Sequence, residues 1–351
     1  MSGVRQTLFS GTLFLTLLAV LFTPSIGQTD KPQAEQSKEL QTLIQELERN
    51  EALYRNLKLN LQMVYEQSPG QVDSDKRARQ KSELTLIVQG DKYRQEKLTT
   101  GRFQQGFLYP TNKPYNRFSS GTTESSAVFD GETLRKFYRY DRTPGLTDEE
   151  RQQGGHGDIS GEQKCMENLF RPHMLLCEHE VRVPLSTWLK GRDAIAASPG
   201  WPNYNDGWSY KVQLLGEEEI QGLNCIKIRI EKFHMNGKLT SKTILWLARD
   251  RNLIPAQAVF YQPPRSKEIP QCEAWVDEWQ EVRPGVWFPR KFHKDRLNWI
   301  IYRLKNKQQV GWRKKYQVES IELDPLLPED TFTKLKFPKG LEVSPRDVEN
   351  K

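Results

Sequence analysis

The sequence predicts an α+β chain that is mainly β, organised as one large, strongly curved antiparallel sheet. Three observations predict it. Apolar residues recur at every second position in one run after another, which is the repeat of a strand with one buried face. Two-residue turn signals separate those runs where an alternating βαβ chain would have helices, so a parallel architecture is excluded. A single helical stripe precedes them all. In a chain of 351 residues with 36% hydrophobic, 10% aromatic and 28% charged residues and nine Trp, there is enough apolar surface for a core, and wholesale disorder is excluded.

Residues 1–27 read as a cleavable export signal. Arg5 supplies the positive start, Leu13 to Phe22 a short apolar core, and Ser25-Ile26-Gly27 small residues before the cleavage point. The apolar run falls short of the roughly 20 residues that a spanning helix needs, and Pro24 ends it; an uncleaved anchor is the alternative. The mature chain is therefore expected to be periplasmic or otherwise extracytoplasmic. Loss of Arg5 lowers the formal charge from +7 to +6.

After a polar lead-in at 28–36, one domain is expected over 37–343, with a short tail at 344–351. Leu40, Leu43, Ile44 and Leu47 are spaced as one face of a helix of about four turns. From Leu57 the period changes to two: Leu57, Leu59, Leu61, Met63 and Tyr65 alternate with Lys58, Asn60, Gln62 and Val64. Leu84, Leu86 and Val88 lead through Gly90-Asp91 to Tyr93. Val128 and Phe129 lead through Asp130-Gly131 to Leu134, Phe137 and Tyr138. Ile226, Ile228 and Ile230 precede Asn236-Gly237, a pair that tolerates positive φ at both positions and so marks a hairpin. Ile244 to Leu247 and Leu253 to Tyr261 are two further strands, with Arg249-Asp250-Arg251-Asn252 as the solvated tip between them. Strands from Cys272 to Val282, from Val286 to Phe292 beyond Pro284-Gly285, and from Tyr316 to Leu323 complete the sheet.

Residues 141–205 break this pattern. They hold the Gly-rich Gly154-Gly155-His156-Gly157, one helical stretch from Gly161 to Leu176, another from Leu185 to Ala197, and an aromatic loop that ends in Trp208. This is an insertion crossing the mouth of the sheet, either a lid or a brace. Cys165 and Cys177 lie within it and are the preferred disulfide pair, since a local bridge would order a segment with few core contacts; Cys225 and Cys272 fit buried thiols. Cys165, His173, Cys177 and His179 match no common zinc spacing, so no metal is assigned. No nucleophile elbow or His-Glu-x-x-His occurs, and Glu217-Glu218-Glu219 reads as a solvated turn. No enzyme activity and no cofactor follow from the sequence, although a triad assembled only in space would leave no local mark.

The ordered set Phe129-Asp130-Gly131, "GLNCIKIRI" (222–230), "ILWLARDRNLIPAQAVFY" (244–261), "GVWFP" (285–289) and "LLPEDTFTKLKFPKGLEV" (326–343) resembles the LolA/LolB-type lipoprotein-carrier superfamily in its broad bacterial branches. The resemblance implies a half-barrel of about eleven antiparallel strands around the N-terminal and inserted helices, with an apolar cavity for acyl chains. Where the family has Trp-x-Asp before the charged turn, this chain has Trp246-Leu247-Ala248. Alternation then gives a candidate lining of Leu57, Leu59, Leu61, Met63, Leu84, Leu86, Val88, Ile226, Ile228, Ile230 and Trp246. Exposing that face to water is unfavourable by roughly 25 cal/mol per Å2, so a ligand or a lid must cover it. The implied role is extracytoplasmic binding or carrying of a lipid, a lipidated protein's acyl chain or another hydrophobic ligand. The alternative is a non-catalytic envelope sensor or protein-interaction module on the same fold. Between Arg290 and Lys315, ten Lys or Arg face one acid, Asp295, and this basic stretch offers a contact for an anionic membrane surface. Nucleic acid is not expected as a partner of an exported chain.

Overall fold

The structure is a computed structural model that describes residues 33–67, 78–105, 117–141, 155–160, 171–177, 183–198, 208–337 and 343–346. The export signal, Cys165, His179 and the aromatic loop ahead of Trp208 lie outside the described residues. A first helix, α1, spans Gln33–Ala52 and so starts inside the stretch expected as a lead-in. Leu43, Ile44 and Leu47 are buried along its predicted stripe, with Leu40 packed beside them. Fourteen strands follow among the described residues. They are β1 Asn56–Gln67, β2 Arg79–Gln89, β3 Lys92–Gln105, β4 Arg117–Phe129, β5 Leu134–Asp141 and β6 Gly155–Ser160. Two short helices, α2 Leu185–Lys190 and α3 Arg192–Ala196, lead to β7 Ser209–Ile220, β8 Leu223–Phe233, β9 Leu239–Ala248, β10 Ile254–Tyr261, β11 Cys272–Arg283 and β12 Val286–Leu297. A last helix, α4 Trp299–Lys305, precedes β13 Val310–Leu323 and β14 Val343–Arg346.

All fourteen strands form one sheet in the order β14-β6-β5-β4-β3-β2-β1-β13-β12-β11-β10-β9-β8-β7. It is curved and does not close, giving an α+β, mainly β half-barrel. Every pairing is antiparallel except β14 with β6. Because β1 pairs with both β2 and β13, the first and the penultimate strands meet at its centre. Register shifts at Asn60/Leu61, Leu214/Gly216 and Pro255/Gln257 insert extra residues, and such bulges bend and twist the strands that carry them.

Of the three strands beyond the expected number, β6 and β14 come from sequence that carries no alternation, and β7 alternates only over Tyr210, Val212 and Leu214. β6 is the Gly-rich part of the insertion and β14 is a four-residue piece of the tail. β7 holds Glu217, Glu218 and Glu219, read from sequence as a turn. Two of its acids meet cations: Arg249 Nε, from the turn after β9, donates to Glu217 at 2.9 Å, and Lys227 Nζ, from the paired strand β8, donates to Glu218 at 2.8 Å. The inserted helical stretch ending at Leu176 is, where described, a single turn of 3-10 helix at Pro172–Met174. The 185–197 stretch is two helices, because Gly191 at φ +90° breaks it.

Gly101 in β3 has a close neighbour that fixes its identity. At φ +139° its Cβ would lie 2.2 Å from the Arg79 carbonyl oxygen on the paired strand. Gly101→Ala is expected to lower stability by about 1–3 kcal/mol, measured by chemical denaturation; an unchanged midpoint would show that β2 and β3 separate there without loss.

Candidate functional site

Strand register sorts the candidate lining. Leu57 pairs with Val88, Leu59 with Leu86, Leu61 with Leu84 and Met63 with Ser82, so these side chains share one face. On the far arm Ile226 pairs with Leu247, Ile228 with Leu245 and Ile230 with Thr243. Ten of the eleven candidates join one apolar cluster on this concave face, together with α1, Met174, Leu175 and Leu176 of the insertion, and Leu185, Trp188 and Leu189 of α2. Trp246 does not. It is opposite Lys227, one residue out of phase with Ile226 and Ile228, and it packs in a separate cluster with Cys225, Ala256 and Val259. Its indole N–H donates to Glu218 at 3.0 Å. The error was one of parity: β9 is apolar on both faces, so hydrophobicity alone did not assign the side.

The ten do not all border empty space. Leu57, Leu59, Leu86, Val88 and Ile228 have 0% exposure, which means that protein surrounds them on all sides. A cavity of about 100 Å3 remains further along the face, toward α4. Leu61, Met63 and Leu84 line it together with Leu175, Phe292 and Tyr316. Phe292 and Tyr316 stack at 4.5 Å across β12 and β13. Three cations enter the same wall: Lys97, Lys294 and Lys314, with the Lys294 ammonium 5.5 Å from the Tyr316 ring. Ser82 adds a hydroxyl held at 2.8 Å by Thr99. An apolar floor beside clustered ammonium groups suits a molecule with a hydrocarbon part and an anionic head. Sequence reasoning missed Phe292, Lys294, Lys314 and Tyr316. The signal was present in their two-residue spacing, which puts each lysine on the same face as an aromatic residue.

At the other end of the face a polar network ties the insertion to the sheet. Arg171 Nη1 donates to the Tyr54 carbonyl at 2.8 Å, and Nη2 to the Gly90 carbonyl at 3.0 Å. The Tyr54 hydroxyl donates to the Trp287 carbonyl, and burial pushes that phenol's pKa up. His173 Nε2 is 2.8 Å from the Asn252 carbonyl oxygen, so Nε2 carries the proton and donates. Burial, with Arg171 adding repulsion, lowers the His173 pKa to about 4. The tip 249–252 is thus not simply solvated: Asn252, at φ +56°, also accepts from the Trp287 N–H at 2.8 Å, and Arg251 stacks 3.7 Å over the Trp287 ring.

Three solved bacterial structures resemble this half-barrel. A DUF1329 family protein from Desulfovibrio piger is 13% identical, with 84% of this chain and 96% of that chain covered and a TM-score of 0.39. A putative outer membrane lipoprotein-sorting protein domain from Vibrio parahaemolyticus is 11% identical over 84% and 97% of the two chains, with a TM-score of 0.40. Mycobacterium tuberculosis lipoprotein LppX is 10% identical over 83% and 98%, with a TM-score of 0.22. The likeness is one of fold. No family model matches the chain, and no curated protein does.

Two further features of the described residues lie away from this cavity. Cys225 is a buried free thiol whose pKa burial raises to about 11, which keeps it protonated and unreactive at neutral pH. Cys177 is buried beside the insertion's apolar residues, and its proposed partner Cys165 lies outside the described residues. A depression of about 880 Å3 between the outer face of β1 to β4 and residues 325–336 is lined by charges of both signs. There Arg94 bonds Glu96 and the carbonyls of Thr331 and Lys334. No described helix is long and apolar enough to cross a membrane.

Proposed function

We propose that the protein binds or carries, outside the cytoplasm, a lipid, a lipoprotein acyl chain or a related amphiphile on the concave face of the half-barrel. The observation that carries this reading is the cavity bounded by Leu61, Met63, Leu84, Leu175, Phe292 and Tyr316, with three lysines in its wall. At about 100 Å3 it is smaller than the roughly 300–1,000 Å3 of pockets that hold drug-sized ligands. A long chain therefore enters only as Leu175 and the inserted segment behind it withdraw. Acyl carbons then replace Leu175 against the apolar wall while the ammonium groups meet a carboxylate or phosphate.

A second reading, a non-catalytic sensor or protein-interaction module, is favoured by the complete burial of Leu57, Leu59, Leu86, Val88 and Ile228. One experiment separates the two. Protein purified from its own envelope is extracted and the extract analysed for lipids by mass spectrometry, and uptake of a fluorescent fatty acid is titrated alongside. Bound lipid, and uptake weakened by about tenfold or more in Met63→Trp, support the carrier. Lipid-free protein with no uptake leaves the module.

A further inference from the structure

Between β12 and β13 the chain turns through α4, which is held in shape at both ends. The Asn298 side chain accepts from the N–H groups of Ile300 and Ile301 at 3.1 Å each. Asn306, at φ +47°, ends the helix and donates its own N–H to the Tyr302 carbonyl at 2.8 Å. Ile301 is buried and anchors the turn, while Trp299 and Tyr302 meet edge-on at 5.3 Å. Ile300 and Leu304, four residues apart and so on one helical face, are 54% and 76% exposed. Arg303, Lys305 and Lys307 are exposed beside them, and no Asp or Glu occurs from Arg296 to Lys315. At the same end of the sheet the β8–β9 turn exposes Met235 near Lys238. The Arg265 guanidinium, from the β10–β11 loop, lies 5.9 Å from the Trp299 ring.

Four other cations of the basic stretch are committed elsewhere. Arg290 and Lys291 pair with Glu278, Arg313 pairs with Asp295, and Lys294 is buried. What projects is a small apolar knob in a ring of cations. An aqueous neighbour would leave the knob uncovered, and a second copy of this chain would bring like charges together. A bilayer with anionic headgroups satisfies both parts: apolar side chains enter the boundary between headgroups and acyl chains, and the cations sit among phosphates. We infer that α4 docks the protein on an anionic lipid surface, with Ile300 and Leu304 inserted and Arg303, Lys305 and Lys307 at the headgroups. This does not depend on the ligand-binding reading. Docking would, however, set the α4 end of the concave cavity toward the lipid.

The test is co-sedimentation of the full chain with vesicles of phosphatidylcholine alone, or mixed in equal parts with phosphatidylglycerol. Wild type is expected to prefer the mixed vesicles and to lose that preference at high salt. Ile300→Asp with Leu304→Asp, and separately Arg303→Glu with Lys305→Glu and Lys307→Glu, are expected to weaken binding to mixed vesicles by about tenfold or more. All these residues are exposed, so the variants should melt like wild type. Leu326→Asp, a fully exposed leucine beyond the other end of β13, should bind as wild type does. Residues 1–27 are common to every chain, so the differences report on α4. Equal binding to both vesicle types, undiminished binding by the α4 variants, or an equal loss in Leu326→Asp would overturn the inference. So would self-association in the absence of vesicles that the Ile300→Asp and Leu304→Asp changes abolish, since a second copy would then own the surface.

Discussion

Acidification from pH 6.5 to 4 is expected to remove about 3 kcal/mol of folding stability through His173 alone. The imidazole is 1% exposed and its pKa falls to about 4 from an ordinary value of 6.5. The unfolded chain takes up a proton as pH drops through 6.5, whereas the folded chain does not until about 4. Between those values the unfolded state holds more protons, so acid favours unfolding, and the full contribution is present only above 6.5. Glu51, close enough to Arg171 to feel its charge, works in the opposite sense, because burial raises its pKa and acid favours its folded form. Comparison with His173→Gln separates the two. Glutamine keeps an N–H for the Asn252 carbonyl but does not titrate, so its stability, from urea denaturation at a series of pH values, should fall less steeply by that same amount. Parallel curves for wild type and variant would mean that His173 is protonated without loss in the folded state. Since His173 ties the insertion to Asn252, the segment loosened in acid is the one that carries Leu175 to the cavity.

Much of this architecture was legible because antiparallel strands with one wet face announce themselves. Leu57 to Tyr65 and Ile226 to Ile230 alternate where β1 and β8 lie, and a hairpin does form at Asn236-Gly237, although its loop spans residues 235–237 and only Gly237 has a positive φ. Legibility fails where a strand is held by its partners more than by its own pattern. β6 has two glycines in six residues and is defined by β5 on one side and β14 on the other. β7 carries three adjacent glutamates and is defined by its ladder with β8, while Lys227 and Arg249 reach two of the three acids. Trp246 shows a different limit. A strand apolar on both faces gives no parity, and Trp246 was assigned to the face that Leu245 and Leu247 occupy. The site itself was half visible: Leu61, Met63 and Leu84, which alternation puts on one face, border the cavity, but Leu175 reaches them from an insertion whose path no periodicity encodes.

Trp188 offers the sharpest separation between an insertion that braces the sheet and one that occupies a ligand's place. It is the largest fully buried side chain among the described residues and belongs to the same cluster as Leu57, Leu86 and Ile228. Its helix, α2, is fastened to α1 by Ser186, whose hydroxyl and N–H both donate to Glu51, and by Lys190, which pairs with Glu48. Trp188→Ala removes the indole while those ties stay in place, and is expected to lower stability by about 3–5 kcal/mol in chemical denaturation. Trp188→Phe should lose much less, because the ring still fills most of the space and the indole N–H has no partner among the described residues. What happens to uptake distinguishes the roles. If ligand and insertion compete for one apolar surface, the alanine variant has both a new void and a weakened competitor, and it should take up a fluorescent fatty acid more tightly than wild type. If the insertion only braces, the variant loses stability and gains no affinity. Weaker uptake by folded Trp188→Ala than by wild type would overturn the competition, because the indole would then be part of the apolar surface that holds the ligand.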